Sequence, residues 1–369
     1  MAEIFFATNR DVKHETSKNS NNFGTRFNDA GPQMFRLGKT DVKLNGDPLD
    51  DDAWEIGRTT LYAEDLNSRR KSGAQLGSAV LFDDLRQILK SEDKDIIIYL
   101  HGFANDFQNT AKRAAALEHL YGEGGKSAIV VAFSWPSNGK VFGSYNYHSD
   151  RDDASLSGVA MARTLMTLVE FLQHLRAEDR QTLIDAQREG RVPEDSELKQ
   201  CNRSIHIVAH SMGNWALRHA INRFAEINEG RVPRIIDHCF LMAADDDADS
   251  LAHDHKLAKL LKLANFVHVY HARDDRALQV SDSTKGNPSR LGAHGPENLD
   301  LLDERVMAID CRDVSDTTVS HGRHQYYRLR KEVITDVVAT LAGKAQEDRK
   351  NRIVTRPGRS WRILDGKTA

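Results

Sequence analysis

The chain has 369 residues, of which 40% are apolar and 28% charged, and 51 Lys and Arg face 54 Asp and Glu for a formal charge of −3. Such a composition excludes intrinsic disorder, and such a balance gives no whole-chain argument for a nucleic acid or an anionic membrane surface as partner. The three cysteines, Cys201, Cys239 and Cys311, are scattered and odd in number, which argues against a disulfide framework and a cysteine-rich zinc site.

Ile4–Thr8 predicts a short strand, and a polar stretch rich in Asn, Asp and Gly follows it. Met1–Arg10 lacks the basic start, apolar stretch and small-residue cleavage site of a signal peptide. No apolar run approaches the ~18 residues of a membrane span. A cytoplasmic location without a membrane span is the expectation. Val80–Leu89 has helical apolar spacing. From residue 95 a regular alternation sets in. Ile96–Leu100 reads as a strand buried on both faces, ending in His101-Gly102, and a helix is predicted from Asn105 to Tyr121. Ala128–Phe133 is the next strand, running into Ser134-Trp135-Pro136-Ser137. The loop Phe142–Asp153 is predicted to flank a pocket, with Trp135 as core or substrate wall. Residues 154–176 predict a long helix, which the highly charged Ala177–Gln200 extends on the surface.

Further strands are predicted at Ile205–Ala209, Ile235–Met242, Phe266–His271 and Val306–Cys311, with a final helix over Tyr326–Leu341. Short buried strands alternating with helices imply βαβ units. The fold class is therefore α/β, a mostly parallel central sheet with helices on both faces. Residues 1–90 form an N-terminal extension that adds edge strands to the same domain, 91–343 the core, and 344–369 a basic C-terminal tail.

The sharpest feature is Ala209-His210-Ser211-Met212-Gly213, set between a strand and an amphipathic helix. It matches the nucleophile elbow G-x-S-x-G with alanine in place of the first glycine. The turn strains the serine, and the residues two before and two after it approach too closely for large side chains. A bare serine is a poor nucleophile, so a histidine base and a carboxylate that fixes its tautomer are required. In the order Ser, acid, His, the acid is Asp275, past the strand ending at His271, with Asp246 of Asp245-Asp246-Asp247 as rival. The base is His324, with His321 as rival, while His294 reads as a surface residue. Met212 N–H and Phe103 N–H, the latter after His101-Gly102, supply the oxyanion hole.

With these residues in place the chain resembles the alpha/beta-hydrolase superfamily, and more narrowly a bacterial branch of alpha/beta hydrolases of unknown function. The residues that carry the likeness are Phe5-Phe6-Ala7-Thr8-Asn9-Arg10, Tyr99–Phe103, Phe133–Ser137, Ala209–Asn214, Asp275-Arg276-Ala277-Leu278 and His324-Gln325-Tyr326. The resemblance implies Asp275 and His324 as acid and base over their rivals. Asp245 departs from the branch, which usually has a proline there. Ester hydrolysis through an acyl-enzyme is the leading expectation. Acyl transfer by the same Ser211, Asp275 and His324, or a binding module that kept the fold, are the alternatives. The substrate is a small-molecule ester or acyl compound, with a water-soluble or short acyl group favoured by the lack of an apolar lid. No phosphate-cradling loop or metal-ligand spacing occurs, so no cofactor and no metal are expected. Residues 344–369 hold eight Lys and Arg against three acids. They are expected to form a solvated tail that packs Trp361 against the body, with contact to an anionic partner as the alternative.

Overall fold

The computed structural model describes residues 1–12, 23–62, 77–91, 94–123, 127–139, 144–194, 197–198, 203–279, 289–315 and 322–366. The strands are β1 (Ala2–Thr8), β2 (Arg10–Val12), β3 (Phe23–Phe27), β4 (Arg36–Leu44), β5 (Trp54–Leu61), β6 (Asp95–Leu100) and β7 (Ala128–Ser134). They continue with β8 (Ile205–His210), β9 (Ile236–Met242), β10 (Ala264–His271), β11 (Val306–Asp310), β12 (Arg352–Arg356) and β13 (Ser360–Ile363). The longest helices among the described residues are α1 (Gly77–Ser91), α2 (Phe107–Gly122), α3 (Ser144–Arg188) and α4 (Met212–Ile227).

Eleven strands form one sheet in the order β12-β13-β11-β10-β9-β8-β6-β7-β1-β4-β5. From β13 to β1 every neighbouring pair is parallel, and the antiparallel pairs lie only at the two edges. β6 shows why its sequence is continuously apolar. Ile96 and Leu100 face the layer that holds α1, α3 and α4, while Ile97 and Tyr99 face the layer of α2 and the C-terminal helices. A strand whose alternate side chains enter two cores leaves no face for polar residues.

Several expectations change. The polar stretch after β1 contains β4 and β5, whose solvent-facing Lys, Asp and Glu hide the strand pattern at the sheet edge. The loop expected over 142–153 is helical from Ser144, since α3 begins there. Its first three turns carry Asp150, Arg151, Asp152 and Asp153, and buried polar groups such as Asp150 break the apolar period. Phe142 lies outside the described residues. The helix also stops at Arg188 rather than running to Gln200, with Gly190 at φ +71° just beyond it.

Within α3, Asn146–Arg188 is long enough for a membrane span, with a mean hydropathy of 1.2 over its apolar window, and 56% of that window is buried inside the protein. Met161, Leu168, Phe171, Leu172 and Leu175 belong to the main core, as in the core helix of a globular fold. The final helix is two, Tyr326–Leu329 and Lys331–Leu341, because Arg330 between them is extended at φ −109°, ψ 115°. The tail packs Trp361 against the body and leaves most of β12 exposed, but it is an ordered part of the sheet. β12 and β13 form a hairpin, and β13 joins the sheet beside β11 with Trp361 and Ile363 buried.

Candidate active site

Ser211 stands between β8 and α4 at φ 53°, ψ −123°, a conformation that costs an L-residue energy and that non-glycine residues rarely hold. The surroundings fix it. Its N–H donates to Met242 O at 2.9 Å, and its carbonyl accepts from Asp245 N at 3.1 Å and Asn214 N at 3.0 Å. The Asn214 amide also bridges the turn, donating through Nδ2 to Ala209 O (2.9 Å) and Ser211 O (3.1 Å). Steric need explains the glycines. A Cβ on Gly213 would sit 2.5 Å from Leu100 O and 2.7 Å from His101 O, and one on Gly102 would sit 2.8 Å from Ser211 Cβ. The exit of β6 is thus pressed against the elbow. This brings Gly102, the residue before Phe103, onto the turn from which Met212 opens α4, where the first amides have no acceptor within the helix.

Asp275 follows β10 and is fully buried. Its Oδ1 accepts from Leu278 N at 3.1 Å, and its Oδ2 lies 2.6 Å from His324 Nδ1. With Nδ1–H donated to the carboxylate, Nε2 of His324 is left as the basic nitrogen. Gly322 and Arg323, both at positive φ (58° and 59°), turn the chain into His324, and Arg276 N–H donates to Gly322 O at 2.9 Å, tying the acid loop to the histidine loop. Ser211 and His324 are 7% and 8% exposed, so both are largely shielded from solvent.

His210, the residue before Ser211, has a role the sequence did not suggest. Its Nε2 lies 3.1 Å from His324 O, and its ring stacks on Tyr327 at 4.4 Å and lies 4.7 Å from the His324 ring. Burial, then the neighbouring His324, hold its imidazole well below the usual range, so it is a neutral donor to that carbonyl. His101 is likewise held neutral, by burial first and Arg10 second. It stacks on Trp135 at 4.7 Å, and Trp135 Nε1 donates to His101 O at 3.0 Å. Trp135 is therefore core and not a pocket wall.

Arg10 is fully buried beneath the same loops. It donates to Ser134 Oγ (2.9 Å), Gly24 O and Ser137 O (3.0 Å each) and Asn105 O (2.7 Å). Burial lowers its pKa to about 10, against the pull of Asp106 and Asp150. The segment Phe5–Arg10 is thus tied to the loops after β6 and β7, which no local pattern could reveal.

The rival acid is engaged by other partners. Asp246 is buried, but its Oδ1 accepts from Arg218 Nη1 at 2.8 Å and Asp247 N at 2.7 Å, and burial pushes it up to about 6. Asp245 accepts from Tyr147 OH at 2.5 Å and has Arg290 Nε and Arg151 Nη1 at 3.6 and 3.9 Å. Tyr147 and Arg151 come from the helical turns read as a loop. His294 is exposed, and His321 lies outside the described residues. Among the described residues, no group of three or more His, Cys, Asp or Glu is arranged to hold a metal ion.

A protein-family model described as "Alpha/beta hydrolase of unknown function (DUF900)" matches residues 80–176 and 195–343. No curated protein and no solved structure matches the chain.

Proposed function

The chain belongs to this family of alpha/beta hydrolases of unknown function, and on that premise we propose that it is a serine hydrolase cleaving a carboxylic ester through an acyl-enzyme. The observation that carries the reading is the 2.6 Å bond between His324 Nδ1 and the buried Asp275 Oδ2, in a chain whose Ser211 holds the strained conformation of an elbow.

In this reading His324 Nε2 takes the Ser211 hydroxyl proton as Oγ attacks the ester carbonyl. Asp275 keeps the tautomer and stabilises the imidazolium as it forms. The tetrahedral oxyanion accepts hydrogen bonds from Phe103 N–H and Met212 N–H, and the positive end of α4 favours the developing charge. His324 then returns the proton to the departing alcohol. A water deprotonated by the same nitrogen attacks the acyl-enzyme and releases the acid. Asp245 donates its backbone N–H to Ser211 O, and its carboxylate is engaged by Tyr147 and faced by Arg151. A site bordered by such groups suits a short or water-soluble acyl group better than a long lipid chain.

A fluorophosphonate probe tests the reading. Covalent labelling at Ser211 in the folded protein, lost in Ser211→Ala together with hydrolysis of p-nitrophenyl acetate, is the expected result. Folded protein that takes no label at Ser211 would sink it.

A further inference from the structure

The basic C-terminal hairpin lies beyond residue 343, outside the span matched by the family model, yet it builds one wall of a cleft of about 540 Å³. The other walls come from the last residues of β10 and β11, His271 and Asp310, and from the segment 294–300. The volume falls in the range of small-molecule sites. The cleft opens at the carboxyl ends of parallel strands, since Asp310 pairs in register with both His271 of β10 and Arg362 of β13, and ligands of α/β sheets gather at that edge. It shares no residue with Ser211, Asp275 and His324.

Its charge is what sets it apart. Three arginines line it: Arg312, Arg356 and Arg362, whose side chains are 38, 46 and 31% exposed. Arg312 Nε and Arg362 Nε both contact the same Asp310 oxygen, Oδ2, at 2.7 and 3.2 Å. One carboxylate oxygen therefore answers two guanidiniums, each approaching most closely through its Nε. Arg356 pairs one to one with Asp300 at 2.6 Å. Burial holds His271 down to about 4, so it enters the cleft as a neutral ring. Hydroxyls are at hand on the hairpin, where Thr355 and Ser360 share a 2.7 Å hydrogen bond. A local excess of guanidinium, with forked donors and neutral hydrogen-bonding groups around it, is the chemistry that recognises planar or tetrahedral oxyanions.

We propose that this cleft binds a small molecule through a carboxylate or phosphate group, held by Arg312 and Arg362 and flanked by Arg356. Binding is independent of the hydrolytic reading, because none of its groups takes part in that chemistry.

The test is calorimetric titration of the full-length chain with inorganic phosphate and, separately, with citrate, at ionic strength held constant with sodium chloride. The two arms tell phosphate from carboxylate recognition. Saturable one-site binding of either anion is expected, weakened roughly ten- to a hundredfold in Arg312→Gln and in Arg356→Gln, as loss of a charge-assisted hydrogen bond predicts. Both side chains are substantially exposed, so both variants are expected to fold, and circular dichroism checks this. Arg191→Gln, at an exposed arginine paired with Glu197 elsewhere on the surface, should bind as the parent does. Absence of saturable binding in both arms, or equal weakening in Arg191→Gln, overturns the proposal.

Discussion

The strain at Ser211 makes a prediction that separates backbone geometry from chemistry. A residue forced to φ 53°, ψ −123° costs about 1–3 kcal/mol when it carries a Cβ. Glycine adopts that conformation freely but gives up about 0.5–1 kcal/mol through the greater entropy of its unfolded chain. Ser211→Ala keeps the strain and Ser211→Gly releases it. Both lack Oγ, so the loss of the hydroxyl cancels between them. The glycine variant should be the more stable by about 0.5–2 kcal/mol, an increase in Tm of roughly 1–3 °C for a chain of this length. Equilibrium urea unfolding of the two variants at 25 °C measures the difference, and neither should take the fluorophosphonate label. A glycine variant no more stable than the alanine one would refute the idea that the elbow stores strain.

Other expectations rest on the same geometry. Asp275→Asn should leave the fold intact and lower kcat for a p-nitrophenyl ester by roughly 10⁴-fold, because the amide can impose the wrong tautomer on His324; a loss below tenfold would point to another acid. Gly213→Ala should destabilise by several kcal/mol or prevent folding, since the new methyl would lie 2.5 Å from Leu100 O, a backbone atom that cannot move aside; a melting temperature equal to the parent's would contradict this. Acid should weaken the protein well before its ordinary carboxylates titrate. His101, His210 and His268 are held well below the usual histidine range, and His238 and His271 down to about 4. Groups with lowered folded pKa values stabilise fully above about 6.5 and lose that contribution as pH falls towards 4. Asp246, raised to about 6, and the half-exposed Asp153, raised to about 7, act in the opposite sense. His219 is likewise lowered to about 4, so the lowered histidines outnumber these two carboxylates and unfolding near pH 5 should take up protons on balance. Stability should therefore fall between pH 6 and 4.5, read from urea midpoints, and a flat profile there would contradict it.

The parallel core was legible because burial on both faces writes itself as unbroken apolar runs, and each of the predicted core strands from Ile96 to Cys311 appears within a residue or two. The strained turn at Ser211 and the contact between Asp275 and His324 were anticipated from chain order and the ends of strands. Chain position favoured Asp275 over Asp246, and the family likeness added to the preference for Asp275 and His324 over their rivals. What escaped was polar. Asp150 and Arg151 hide the first turns of α3. Arg10 serves carbonyls 95 and 127 residues away, and His210 bonds to a carbonyl 114 residues on. Such contacts obey no period, so no window along the chain contains them. A histidine beside Ser211 reads as an ordinary strand-end residue until the loop that carries His324 is folded over it.

The charge asymmetry of the C-terminal end takes on meaning at the same level. Asp336 is fully buried in the last long helix and accepts from Tyr270 OH at 2.7 Å, with Arg352 Nε at 3.2 Å and Arg349 Nη1 at 3.7 Å. Arg352 also lies over the Trp361 ring at 4.8 Å. Arg359 holds the 299–303 segment through the carbonyls of Leu302 (3.2 Å) and Asp303 (3.3 Å). The basic residues thus divide by place. Arg349 and Arg352 compensate a buried acid, Arg359 staples a loop, and Arg356 and Arg362 line the cleft. A chain cut after Lys344 would leave Asp336 without its cations, a loss of about 3–5 kcal/mol for an uncompensated buried charge, and would expose β11 as a bare parallel edge. Poor solubility and a lowered urea unfolding midpoint of the truncated chain are the expected outcomes. A truncated protein as soluble and as stable as the parent would show that the hairpin's arginines do not hold the charge of the helix they cover.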